Sequence, residues 1–154
     1  KSTKKSRHYF LMPTRSRKEE KRYREYLASD EPRNGCQFCA ITKDSPQFVS
    51  ESKSFYVIRN IFPYSHWDGQ GVLDHLLLIP KKHTDTLSNL SAPEAVEYVD
   101  IIGSYERSGY DIHARGPSSN RKSVVHQHTH FIKLDRKHNA FMFYINKPYI
   151  RFTR

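Results

Sequence analysis

The stretch from Val124 to Leu134 constrains this chain more than any other. His126, His128 and His130 alternate with single residues, Val124 and Val125 precede them, and Phe131 and Ile132 follow. Such β-branched and aromatic flanks favour a strand. Side chains alternate faces along a strand, so the three imidazoles would share one face, with about 7 Å between successive ones. Each imidazole can accept, donate or carry a proton near neutral pH. Two chemistries use such a row. One is metal ligation; the other is phosphorus chemistry, with one imidazole as nucleophile and its neighbours as proton donors and positioners. The plain alternative is an exposed histidine-rich strand or a tag. A tag is contiguous and terminal, whereas this run is internal and flanked by core-like residues.

Upstream elements can be read in chain order. Residues 1–17 are basic with little periodicity and predict an arm, in which Phe10-Leu11-Met12-Pro13 is a short apolar anchor. Residues 17–28 predict a helix with Tyr23, Tyr26 and Leu27 on one apolar stripe. Ser29 to Gly35 is a linker rich in turn residues. Cys36-Gln37-Phe38-Cys39 follows, a spacing that suits tetrahedral zinc because both thiolates can face one ion. A redox pair or two buried thiols are the alternatives, and zinc needs two more ligands. Phe55–Ile58 reads as a strand, 65–74 as a loop with two glycines, and His75–Pro80 as a continuous apolar strand. Ser91 and Glu94 make a capping box for a helix whose core face would carry Ala95, Tyr98, Val99, Ile102 and Tyr105. Residues 110–114 predict another strand. Residues 115–122 form a basic polar loop whose backbone N–H groups and Arg121 and Lys122 side chains suit an anion. Phe141–Ile145 and Tyr149–Phe152 predict a hairpin around Asn146-Lys147-Pro148.

Composition sets the class. The 154 residues are enough for one domain with a real core. Two cysteines exclude a disulfide framework, and no apolar run reaches the length of a membrane span, so a cytoplasmic protein without a membrane partner is expected. The net charge of +10 is uneven. Residues 1–33 hold 11 Lys/Arg against 5 Asp/Glu, residues 34–120 hold 7 against 10, and residues 121–154 hold 8 against 1. Basic ends of this kind suit a polyanion, either nucleotide phosphates or nucleic acid, or an acidic partner; a merely solvated arm is the alternative for residues 1–9.

Taken together, these motifs resemble the histidine-triad (HIT) family of nucleotide-binding enzymes, over roughly residues 36–134. The triad signature is His126 to Ile132. In the family's order stand Cys36-x-x-Cys39, as in zinc-type members, then Asn60 where the family holds the ribose, then the strand from His75 ending in Pro80-Lys81-Lys82-His83. The resemblance implies an α+β domain: an antiparallel sheet with the 91–108 helix packed on it. The N-terminal arm and helix (1–33) and the C-terminal hairpin would be additions to a HIT-like domain over 34–154. It implies that His128 is the nucleophile, that His130 contacts the phosphate and protonates the leaving group, that His75 orients the nucleophile, and that Ser123 touches phosphate. It also implies a structural zinc held by Cys36, Cys39, His83 and His126, no metal in the chemistry, and a homodimer.

The chain departs from the pattern at Gln127 and Thr129, where the family has apolar residues, and at Arg121 and Lys122, where its loop is small and glycine-rich. A buried Gln127 calls for a hydrogen-bonding partner. His130 at the third position, where the uridylyltransferase branch has Gln, favours hydrolysis over transfer. The expected activity is therefore release of nucleoside monophosphate from dinucleoside polyphosphates, phosphoramidates or adenylylated adducts. Action on nucleic-acid ends and a zinc-stabilised nucleotide-binding module with little turnover are the alternatives.

Overall fold

The computed structural model describes residues 14–29, 35–138, 142–146 and 149–153. Its centre is a six-stranded antiparallel sheet. The strands are β1 (Phe48–Glu51), β2 (Phe55–Arg59), β3 (His66–Trp67), β4 (Gln70–Pro80), β5 (Tyr110–Ala114) and β6 (Thr129–His138). They lie in the order β1-β2-β4-β6-β5, with β3 pairing the start of β4. Two helices, α1 (Arg17–Ala28) and α2 (Ala92–Arg107), complete the α+β fold expected from the sequence. The C-terminal hairpin is present as β7 (Met142–Asn146) and β8 (Tyr149–Thr153), with Asn146 opposite Tyr149. Among the described residues no helix is long and apolar enough to cross a membrane. The Phe10–Pro13 anchor and most of the 29–35 linker lie outside the described residues.

Strand register sorts the side chains into two faces. Val57 pairs Leu78 and Leu76 pairs Phe131, placing these apolar side chains on the helix side with Phe55. There α2 lays Tyr98, Ile101, Ile102 and Tyr105 against them. Phe55, Leu78 and Phe131 are almost fully buried. Each such side chain contributes about 1.5–3 kcal/mol relative to exposure. Val99, expected on this face, is 64% exposed, and Ile101 takes its place. A residue one step from Tyr98 is turned about 100° around the helix, whereas steps of three and four return to the same side. The helix start follows the sequence: the Glu94 carboxylate accepts from the Ser91 backbone N–H and from its hydroxyl, each at 2.7 Å.

The opposite face carries Ile58 opposite Leu77, Leu77 opposite His130, and His113 opposite His130. A smaller cluster of Ile41, Ile58, Leu77 and Ile79 supports it, with Phe38 and Tyr56 packed alongside. This face therefore positions the histidines.

Two local readings need correction. Residues 65–74 are a hairpin, not a loop: His66 pairs Gly71, Trp67 pairs Gln70, and the turn is Asp68 (φ 48) and Gly69 (φ 73). Asp-Gly with both residues at positive φ is the turn that matches strand twist, so β4 starts at Gln70, five residues before the apolar run. In α1, Tyr23 and Tyr26 pack on Phe62, with ring centroids at 5.3 and 4.8 Å, but Leu27 is 42% exposed. The apolar part of the docking surface is the Phe62 ring, and the two tyrosines pack on it.

Candidate active site and metal centre

His126, His128 and His130 are all buried, but they do not form one continuous strand row. Strand β6 starts only at Thr129. The reason lies two residues earlier, where the Gln127 N–H donates to the Thr84 carbonyl at 2.6 Å, pulling the chain toward the loop after β4. The three rings consequently divide between two tasks.

His126 turns away from the other two. Its Nδ1 lies 3.3 Å from Cys36 Sγ and 3.5 Å from Cys39 Sγ, while Cys39 Sγ is 3.2 Å from His83 Nδ1. Its Nε2 is 3.0 Å from the Pro80 carbonyl, which accepts only, so Nε2 carries the hydrogen and Nδ1 keeps a lone pair for ligation. All four ligand atoms fall within 4.8 Å of one another. A tetrahedral zinc with ordinary Zn–S and Zn–N bonds sets its ligand atoms roughly 3.3–3.8 Å apart, so the Cys₂His₂ set fits. Burial and the neighbouring Cys36 push the Cys39 thiol up.

The other two histidines face the sheet. His128 Nδ1 lies 2.8 Å from the His126 carbonyl, so Nδ1 carries the hydrogen and Nε2 keeps a free lone pair. Beside it runs a second chain. The Tyr64 N–H donates to His75 Nδ1 at 3.0 Å, and His75 Nε2 lies 2.8 Å from His130 Nδ1. With Nδ1 of His75 accepting, its Nε2 must carry the hydrogen and donate to His130 Nδ1. His130 then carries its own hydrogen on Nε2, as a donor. Backbone geometry thus sets opposite roles: His128 offers a lone pair and His130 an N–H.

Both roles require neutral rings. Burial pushes His75 down to about 3 and holds His128 and His130 below the usual histidine range. Neighbouring charges act in the same direction, among them Arg15 on His75 and Arg115 on His128 and His130.

The remaining sequence candidates divide. Asn60 stands beside the site: its Nδ2 lies 3.3 Å from His75 Nε2, its N–H donates to the His75 carbonyl at 3.0 Å, and its Oδ1 accepts from the Phe62 N–H at 2.9 Å. Ser123 and Arg121 are exposed on the loop leading to His126. Lys122 is tied down, its Nζ donating to the Asp85 carbonyl and to Gln127 Oε1, each at 2.7 Å. That tie is the partner the buried Gln127 called for. Thr129 finds one too, with its Oγ1 2.7 Å from the Tyr98 hydroxyl on α2.

Several residues around the site carried no motif. The Phe38 ring lies edge-on to His128 at 5.2 Å. Tyr64 stacks on Trp67 at 5.4 Å and on His130 at 5.6 Å, and Trp67 packs on His113 at 4.9 Å. His113 sits across from His130 on β5, so an alternation count along 110–114 could have placed it on the histidine face.

No protein-family model matches this sequence, and no curated protein matches it. Solved structures do. A HIT family hydrolase from Legionella pneumophila is 25% identical, aligned over 69% of this chain and 97% of its own, with a TM-score of 0.51. A HIT family hydrolase from Clostridium thermocellum is 22% identical over 70% of this chain and 97% of its own, with a TM-score of 0.51. A histidine triad nucleotide-binding protein from Candida albicans is 21% identical over 73% of this chain and 89% of its own, with a TM-score of 0.51. The last two speak to the fold.

Proposed function

We infer that this chain, a histidine-triad protein by its fold and by the order of its motifs, is a hydrolase that releases a nucleoside monophosphate through a nucleotidyl-histidine intermediate on His128. One observation carries the reading: a neutral His128 with its Nε2 lone pair free, beside a neutral His130 whose Nε2 carries a hydrogen. A general nucleophile needs the first and a leaving oxygen the second.

In the first step His128 Nε2 attacks the α-phosphorus. The N–P bond forms as the bond from phosphorus to the leaving atom breaks; a leaving phosphate departs as an anion that accepts a hydrogen bond from His130 Nε2–H, and a leaving amine takes its proton from solvent. In the second step water attacks the same phosphorus, its proton passes to solvent, and the N–P bond breaks. His128 is regenerated and the nucleoside monophosphate departs. Splitting one displacement into two lowers each barrier. His75 holds the His130 tautomer, and Asn60, which lies beside His75, would hold the nucleoside's ribose. The substrate class comprises dinucleoside polyphosphates, nucleoside phosphoramidates and adenylylated adducts.

Cys36, Cys39, His83 and His126 would hold a structural zinc. When bound, that ion would tie the Cys36–Cys39 turn to the end of β4 and fix the His126 ring. It would leave the chemistry to the imidazoles.

The test compares wild type with His128→Ala on adenine and guanine donors, reading intact mass after an acid-free quench and monophosphate release. The expected outcome is a nucleotidyl adduct on His128 in wild type, none in the variant, and turnover lower by roughly 10³-fold or more. Nucleotide binding without adduct or monophosphate from any donor would sink the hydrolase reading.

A further inference from the structure

The N-terminal residues next to α1 reach the histidines through a route that the motifs do not announce. The Thr14 carbonyl accepts from the N–H groups of Ser65 and His66, at 2.8 and 3.2 Å. The Ser16 N–H donates to Ser65 Oγ at 2.8 Å, and the Ser65 hydroxyl donates to the Glu19 carboxylate. Between these ties sits Arg15. Its Nε and Nη2 each donate to the Phe62 carbonyl at 3.3 Å. Its guanidinium lies 4.1 Å from the centre of the Tyr23 ring and 5.0 Å from the centre of the Tyr64 ring.

Tyr64 is the residue that matters on the other side. It is 7% exposed, its backbone N–H donates to His75 Nδ1, and its ring lies 4.5 Å from His75 and 5.6 Å from His130. Arg15, Tyr64, His75 and His130 are therefore one continuous series of contacts. Helix formation does not require it, because Ser16 and Glu19 cap α1 by themselves: the Glu19 N–H donates to Ser16 Oγ, and the Ser16 N–H donates to the Glu19 carboxylate. Helix docking does not require it either, because Tyr23 and Tyr26 already pack on Phe62. What the guanidinium adds is a planar cation that fixes both the carbonyl of Phe62 and the ring of Tyr64, two residues apart.

We propose that Arg15 is a positioning residue of the triad: by clamping the Phe62–Tyr64 segment it holds the Tyr64 N–H on His75, and so the His75 tautomer that makes His130 present its Nε2–H. The N-terminal helix segment then belongs to the active site. The consequence for activity rests on the hydrolase reading above; the consequence for the tautomer does not.

The experiment uses the full chain as wild type, Arg15→Ala, Arg15→Lys and Tyr26→Ala. Tyr26→Ala weakens helix docking while leaving every Arg15 contact in place, and so controls for a merely structural role. Imidazole ¹⁵N NMR reads the His75 tautomer, and rapid quench reads the rate of His128 adduct formation. Arg15→Ala should give mixed His75 tautomers and slow adduct formation by roughly tenfold or more, with affinity for a nucleoside monophosphate within about twofold. Arg15→Lys, which keeps the charge and loses the fork, should fall between the two. Tyr26→Ala should lower the melting temperature yet keep the wild-type tautomer and an adduct rate within about threefold. An unchanged His75 tautomer in Arg15→Ala overturns the proposal, as does an unchanged adduct rate. Should Arg15→Ala fail to fold, Arg15→Lys decides by the same two readouts. A wild type that shows the single tautomer but forms no adduct would refute the hydrolase reading and leave the Arg15 assignment standing.

Discussion

His75 shows how a single side chain links this site to the stability of the whole. In the unfolded chain it takes up a proton near pH 6.5; in the fold it does so only at about 3, because burial disfavours the charged ring. Between these values the unfolded state binds more protons, so stability rises with pH up to about 6.5 and is level above it. On acidification from pH 6.5 to 5, His75 alone removes on the order of 2 kcal/mol. Denaturant unfolding at pH 7 and pH 5 should therefore show a smaller acid loss in His75→Gln than in wild type, and equal losses would contradict the buried neutral ring. The place of His75 beside the triad was legible from its position before Pro80-Lys81-Lys82-His83, but the ring it bonds is His130 and not His128. Tyr64 was not legible, because it acts through a backbone N–H, which every residue but proline carries. Arg15 was hidden for a related reason: a guanidinium bonded to a distant carbonyl leaves no spacing in the sequence.

At the scale of elements, the sheet is read from both sides at once. Thr129 lies between His128 and His130 and points to the helix side, where its Oγ1 meets the Tyr98 hydroxyl. Thr129→Val keeps the shape and strands that buried hydroxyl, so it should cost about 1–3 kcal/mol in chemical denaturation, and less if Tyr98→Phe is made with it. A variant as stable as wild type would show that the bond contributes nothing net. The start of α2 was legible because its capping signal, Ser91 with Glu94, is local; α1 was read from its apolar stripe, and in the structure Ser16 with Glu19 caps it in the same way. The β3–β4 hairpin was not legible, since Asp68-Gly69 was hidden among polar residues that look like any loop. Strand β6 was misplaced at its start because a tertiary bond, Gln127 to Thr84, overrides the alternation of the histidines.

At the scale of the molecule, the histidine face is held largely by irregular segments rather than by a second helix layer. The Cys36–Cys39 turn, the loop at His83 and the approach to His126 converge on four atoms that could hold one metal ion. Metal analysis should find about one zinc per chain, and stripping it with a strong chelator should lower the melting temperature by several degrees or more, with Cys39→Ser behaving like the stripped protein. A melting temperature indifferent to chelation would assign the four residues another role. The cluster of Cys36, Cys39, His83 and His126 was legible by motif order. The means by which it reaches His128 was not, because it runs through one residue used twice. The ring of His126 faces the thiols while its carbonyl receives the His128 Nδ1–H. Oxidation of Cys36 or Cys39 would change what the His126 ring faces, and would do so at the residue whose carbonyl fixes which nitrogen of His128 is bare.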